Sequence, residues 1–161
     1  MKRIALCVVL LLLSTCALRA AAETPASHFG QLKQLAGTWE GKTSDGKPAS
    51  ISLQVVSDGS ALMQLDAGEK MVTMYHTDND RLLMTHYCSA HNQPRMQAEV
   101  SPDGKRFNFT FLDATNLAKP DAGHMDHMVL TVEDANHITE QWFYKDGSKE
   151  MTETLKLARK P

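Results

Sequence analysis

The chain has 161 residues, a formal net charge of −2 and a hydrophobic content of 42%. This length suits one folded domain that can bury a sizeable core. The sequence contains no cluster of basic residues, which argues against nucleic acid or an anionic lipid surface as a partner.

Residues 1–22 are typical of a signal peptide. Lys2 and Arg3 provide a positively charged start, and the run Ile4–Leu13 is almost purely apolar but too short to span a bilayer stably. Three alanines at positions 20–22 suit the small-residue pocket of a signal peptidase. We therefore expect an exported protein, periplasmic or secreted, with no transmembrane segment after cleavage.

A lipid anchor is the alternative interpretation of this segment. The sequence Leu13-Ser14-Thr15-Cys16 resembles a lipoprotein signal, in which Cys16 would carry the lipid. Cleavage after residue 22 leaves one domain, residues 23–161, with 14 basic and 19 acidic side chains and a formal charge of −5. Cys88 is then the one remaining cysteine, and we expect it to be buried because lone thiols usually are.

One short helix is predicted at the start of this domain. Ser27 is a candidate N-cap, and Phe29, Leu32 and Leu35 recur at helical spacing until Gly37 ends the pattern. After Gly37 the sequence alternates with the period of a β-strand, and short polar turns interrupt it at regular intervals.

The alternating runs predict an all-β domain. About ten strands are expected, at 38–43, 49–56, 61–66, 70–77, 81–88, 95–101, 105–112, 124–132, 137–144 and 148–158. Hairpin-length connections favour an antiparallel up-and-down meander, and closure into a barrel would remove its free edges. A β-sandwich is the alternative. The longest connection, 113–123, is expected to border the barrel mouth.

The segment Leu35-Ala36-Gly37-Thr38-Trp39-Glu40-Gly41 resembles the start of lipocalin-like, or calycin, barrels. The resemblance implies that Trp39 plugs the closed end of the barrel and that Arg159, near the chain end, stacks on it. Exported bacterial relatives and the haem-binding nitrobindins begin similarly. Nitrobindin-like haem ligation uses a late histidine, and the last histidine here, His137, lies well before the chain end, so haem is not expected.

Residues 85–95 combine side chains that could bind a metal or an organic ligand. On a strand, His86 and Cys88 point to the same face and Tyr87 to the other. An imidazole and a thiolate suit copper or zinc, and an inward Arg95 could pair with a carboxylate or phosphate. The alternative is a half-buried histidine beside a buried cysteine.

A second cluster, His124-Met125-Asp126-His127-Met128, resembles the Met- and His-rich copper motifs of exported bacterial proteins. A copper or zinc site would use His86, Cys88 and His124, with His91 or His127 as further candidates. The alternative is the start of a strand with surface histidines.

The favoured function is binding of a small, partly apolar molecule inside the barrel, because lipocalin-like folds commonly do this. The candidate cavity residues are Tyr75, His86, Tyr87, Arg95 and Trp142. A metal protein is the first alternative, and an enzyme using Cys88 and a histidine is the second, with no catalytic residue assigned because no familiar catalytic motif occurs. Glu140 and Glu153 fall within strands and could face a polar cavity, but solvated side chains are the favoured interpretation.

Overall fold

The computed structural model describes residues 24–161, which form one helix and a ten-stranded β-barrel. The predicted signal peptide and Cys16 lie outside the described residues. Helix α1 is Pro25–Lys33. The strands are β1 (Gly37–Thr43), β2 (Pro48–Val56), β3 (Ala61–Asp66), β4 (Val72–Asp78), β5 (Arg81–Tyr87), β6 (Gln93–Val100), β7 (Arg106–Thr115), β8 (His124–Asp134), β9 (His137–Asp146) and β10 (Lys149–Arg159).

Helix α1 begins one turn earlier than Ser27 predicts. The N-cap is Thr24, whose side chain accepts a hydrogen bond from the Ser27 backbone N–H, while the Ser27 hydroxyl caps the Thr24 N–H in return. The predicted cap was therefore wrong, because Ser27 is the third helical residue of a capping box. Phe29 and Leu32 bury the inner face of the helix, as their spacing predicted.

All ten strands are antiparallel to their neighbours and the sheet closes on itself. Each strand pairs with the next along the chain, and β1 also pairs with β10, with Trp39 opposite Arg159. The prediction of an up-and-down barrel is confirmed. Closure satisfies the hydrogen-bonding groups that a ten-stranded open sheet would leave at two long edges.

The end of the barrel next to α1 is closed. The Arg159 guanidinium carbon lies 4.3 Å from the centre of the Trp39 ring, so the stacking that the calycin resemblance implied is confirmed. Arg159 also donates hydrogen bonds to the carbonyls of Ala36 and Gln34, at 2.7 and 3.0 Å. These bonds attach the exit of the helix to the last strand. Gly37 makes this turn with φ of +137°, in the region that favours glycine.

The opposite end, called the open end below, carries five hairpin connections: 44–47, 67–71, 88–92, 116–123 and 147–148. Between the two ends, alternate side chains of every strand point inward and fill the barrel. The largest fully buried side chains, which include Leu32 from helix α1, are Trp39, Tyr75, Phe107, Phe109, Leu32, Ile51, Leu62, Met84, Met96, Met128, Ile138 and Glu140. Among residues 24–161, no helix is long and apolar enough to cross a membrane.

Candidate ligand-binding site at the open end

Polar side chains replace apolar ones in the part of the barrel interior that approaches the open end. Gln64 on β3 lies opposite Thr73 on β4, and Thr73 lies opposite His86 on β5. All three are buried. Side chains directly opposite each other on neighbouring strands point to the same face, so these three form a continuous polar row inside the barrel.

A hydrogen-bonded network connects this row to β9. The Tyr75 hydroxyl donates to Gln64 Oε1 at 2.8 Å, and Gln64 Nε2 donates to Glu140 Oε2 at 3.1 Å. Trp142 Nε1 donates to the same carboxylate oxygen at 2.9 Å. Burial raises the pKa of Glu140 to about 7, although both hydrogen bonds oppose the shift. Burial, together with the Glu140 charge, raises the pKa of Tyr75 as well.

His86 is held in this interior as a neutral ring. Its Nδ1 lies 2.9 Å from Thr73 Oγ1, and its ring centre lies 4.9 Å from that of Trp142. Burial lowers the pKa of His86 to about 4. Its Nε2 is buried and has no hydrogen-bond partner in the described part of the chain. An unpartnered buried polar atom costs about 1–3 kcal/mol, so Nε2 is the atom of this interior best suited to a ligand.

Little space exists inside the barrel at the level of His86. The inner cavity, lined in part by His86, Thr73 and Gln64, has a volume of about 30 Å³. A cavity needs about 10–15 Å³ to admit one water molecule, so this space has room only for a group of one or two heavy atoms. The interior alone is therefore too small for an organic ligand.

A larger pocket opens above this cavity, and we call it the mouth pocket. Its volume is about 410 Å³, within the common range for ligand sites of about 300–1,000 Å³. Its walls are Glu69, Met71, Cys88, Ser89, Ala90, Met125, Trp142, Tyr144, Met151, Thr152 and Glu153. Trp142 and Glu153 line the inner cavity as well as the mouth pocket, so the two spaces adjoin.

The mouth pocket and inner cavity are acidic. Asp66, Glu69 and Glu153 line one or both of them, and no lysine or arginine within residues 24–161 does. Partial burial raises the pKa of Glu153, and the carboxylates of Glu69, Asp45 and Asp66 raise it further.

The connection 116–123 is fixed against the mouth. A Cβ atom on Gly123 would lie 2.0 Å from the Tyr144 hydroxyl oxygen, so the ring of Tyr144 packs directly on the glycine backbone. The Asn92 side chain donates a hydrogen bond to the Gly123 carbonyl at 2.8 Å. The connection therefore borders the mouth, as its length and composition predicted.

The structure brings two of the five predicted cavity residues, His86 and Trp142, to the candidate site. Tyr75 is buried deeper, in the network below. Tyr87 and Arg95 lie on the outer surface, because each alternates with an inward neighbour, His86 or Met96. Arg95 points away from the barrel interior and forms an exposed ion pair with Asp113.

The three predicted metal ligands occupy different surroundings. His86 is inside the barrel, whereas Cys88 is half-buried at the mouth rather than in the core. His124 lines a separate pocket, where its ring centre lies 4.6 Å from that of Phe111 and its Nδ1 lies 2.7 Å from the Ala122 carbonyl oxygen. Within residues 24–161, no group of three or more His, Cys, Asp or Glu side chains is arranged to hold a metal ion.

The other histidines considered above are not among the residues that line the mouth pocket. His127 stacks on Phe143, with ring centres 3.7 Å apart, and lies beside Asp126. His91 is exposed in the hairpin 88–92, with φ of +64°. His137 lies at the closed end and pairs with Asp134.

Sequence analysis favoured a solvated Glu140 over one that faces a polar cavity. Glu140 is 1% exposed, so the expectation that it is solvated was wrong. The strand period contained the signal, because Glu140 lies between Ile138 and Trp142 on the same face of β9. Gln64 and Thr73 had the same signal, since each shares an inward face with a buried apolar or aromatic residue two positions away.

No family model matches this chain, and a search of curated proteins gave no significant match. The closed ten-stranded antiparallel barrel and its Trp39–Arg159 contact are compatible with a calycin or lipocalin-like fold. A fold does not determine an activity, so function has to be argued from the geometry of the open end.

Proposed function

We propose that this chain binds a small, partly apolar organic molecule in the mouth pocket, with one polar group of the ligand reaching His86. The observation that carries the proposal is the buried, unpartnered Nε2 of His86 beneath a pocket of about 410 Å³. The expectation of a ligand held in the barrel interior is thereby narrowed to the open end, because the interior below His86 is filled by side chains.

The composition of the mouth pocket supports this proposal. Three methionines and two aromatic rings supply apolar, adaptable walls, and Glu69, Ser89, Thr152 and Glu153 supply polar groups. Methionine side chains adjust to varied ligand shapes because they are unbranched and polarizable. Small-molecule sites commonly combine such walls with a small number of polar groups that orient the ligand.

A neutral fluorescent probe tests this proposal. N-phenyl-1-naphthylamine is expected to bind the wild-type protein with a rise in its fluorescence. Ala90→Trp places a bulky ring on the exposed rim of the pocket and should weaken probe binding by at least tenfold. Ala158→Trp, on the outer surface of β10 near the closed end, is the matched control and should leave binding unchanged. Absence of probe binding, or equal binding by Ala90→Trp, would contradict the proposal.

We further propose that the protein acts after export. The support is the positively charged start, apolar run and alanine triplet of residues 1–22. After expression in a bacterial or eukaryotic host that exports the protein, we expect its intact mass to match a chain that begins at Glu23. A lipid-modified chain beginning at Cys16 would instead establish the anchored form, and a full-length mass would contradict export.

A further inference from the structure

We infer that the ligand of the mouth pocket is an organic cation, an amine joined to an apolar chain or ring. This inference rests on the proposed function and specifies the chemical class of the molecule bound. It is carried by the charge of the pocket lining, the position of one carboxylate relative to an aromatic ring, and the unpartnered nitrogen of His86.

The charge around the pocket has one sign. Asp66, Glu69 and Glu153 contribute carboxylates to the lining of the mouth pocket and inner cavity, and no lysine or arginine of the described residues lines either. Lys47 is close enough to influence Glu153, but its ammonium group is paired with Asp45 at 2.7 Å. An anionic ligand would therefore meet uncompensated repulsion, whereas a cation would be attracted.

The sheet register places a carboxylate beside an aromatic ring. Glu153 on β10 lies directly opposite Trp142 on β9, so both side chains point to the same face of the barrel wall. Indole is the best aromatic partner for a cation, and an ammonium group between these two side chains would contact both. Tyr144 and Met151, the next inward pair towards the rim, would then pack against the apolar part of the ligand.

His86 provides an independent indication of a ligand. Among residues 24–161 its Nε2 is buried without a hydrogen-bond partner, and His86 lines the inner cavity together with Trp142 and Glu153. In the tautomer that donates Nδ1–H to Thr73 Oγ1, Nε2 is an acceptor. An N–H group is the complementary donor, and an amine supplies one.

Repulsion between the carboxylates of the pocket also favours a cationic ligand. The pKa of Glu153 is raised by partial burial and by the negative charges of Glu69, Asp45 and Asp66. A bound cation would relieve this repulsion between like charges. The arrangement is therefore less favourable for the empty pocket than for one that holds a positive charge.

Three ligands of equal chain length test the inference by displacement of N-phenyl-1-naphthylamine. Octylammonium is expected to bind at least tenfold more tightly than octanol, and octanoate more weakly than either. The double variant Glu69→Gln, Glu153→Gln should remove the preference for octylammonium. Glu150→Gln removes one carboxylate from the same strand outside the pocket lining, and it should keep the preference.

The outcomes separate the two proposals. Equal binding of octanol and octylammonium, or a preference for octanoate, would overturn the inference while the proposed pocket stands. A preference for octylammonium that survives the double variant would overturn it too, because the carboxylates would not be its cause. Failure of the naphthylamine probe itself to bind would overturn the proposed function. Circular dichroism melting curves confirm that each variant is folded.

Discussion

At the scale of single residues, the buried titratable groups near the open end favour their neutral forms. Glu140 takes up a proton more readily than a solvated carboxyl, and His86 takes one up less readily than a solvated imidazole. Both shifts follow from burial, which disfavours the charged form of either group. The two residues therefore make opposite contributions to the dependence of stability on pH.

Replacing Glu140 should stabilise the protein at alkaline pH. Because the pKa of Glu140 is raised to about 7 in the native state, the native state binds a proton that the unfolded state has released, so its contribution to stability falls as pH rises from about 4.5 to above 7. Glu140→Gln can still accept from Trp142 and Gln64, and it should raise the free energy of unfolding by about 3 kcal/mol at pH 8 but change it little at pH 4.5. Urea denaturation at both values measures this. Lower stability of the variant at pH 8 would contradict the account.

Replacing His86 should change acid stability. Since burial lowers the pKa of His86 to about 4, its contribution to stability is complete above about pH 6.5 and is lost as pH falls through 4. His86→Gln cannot titrate, so the variant should gain stability relative to wild type as the pH falls from 6.5 to 4. The same urea series tests this. If the difference in unfolding free energy between variant and wild type is independent of pH, His86 is not held neutral.

At the scale of elements, strands were easier to predict than the roles of their side chains. Each predicted run corresponds to a strand, with ends differing by a few residues, because alternation and turn residues are local signals. For residues 71–88 both faces mix apolar and polar side chains, so alternation could not assign the inner one. The inward residues are Thr73, Tyr75 and His86. Their orientation follows from the pairing with residues on the neighbouring strands.

The site depended on long-range contacts that the sequence does not display. Glu153 and Trp142 become neighbours only through the register of β9 and β10. The Gln64–Glu140 hydrogen bond joins residues 76 positions apart. The bulge between Arg95 and Met96 shifts the pairing of β6 with β7, and such a shift has no clear sequence signal. His86 and Trp142 were predicted because their residue types are unusual, whereas the pocket around them was not.

Substitution of Gly123 tests how the connection 116–123 is fixed to the mouth. Gly123→Ala would bring its new methyl group into the Tyr144 hydroxyl, and overpacking of this kind typically costs about 1–3 kcal/mol. Gly30→Ala is the control, since nothing lies within 4 Å of its Cβ position on helix α1. That change should stabilise the protein by about 0.5–1 kcal/mol. Thermal denaturation measures both, and an unchanged melting temperature for Gly123→Ala would contradict the packing described.

At the scale of the whole molecule, the closed barrel separates stability from binding. The closed end carries α1, the Trp39–Arg159 contact and most of the packed apolar core. The open end carries the mouth pocket, whose walls come from β8, β9 and β10 and from the connections 67–71 and 88–92. Changes at the rim should therefore alter ligand affinity with little effect on unfolding.

The most direct test of binding at the open end uses Cys88 as a reporter, because this thiol lines the mouth pocket and is half-buried. The rate of its alkylation by iodoacetamide is measured with and without saturating N-phenyl-1-naphthylamine, with the Ala90→Trp variant as the control. A bound probe that occupies the mouth pocket should slow alkylation of the wild-type protein several-fold and have little effect on the variant. An unchanged rate in wild-type protein that demonstrably holds the probe would place binding elsewhere and contradict the account.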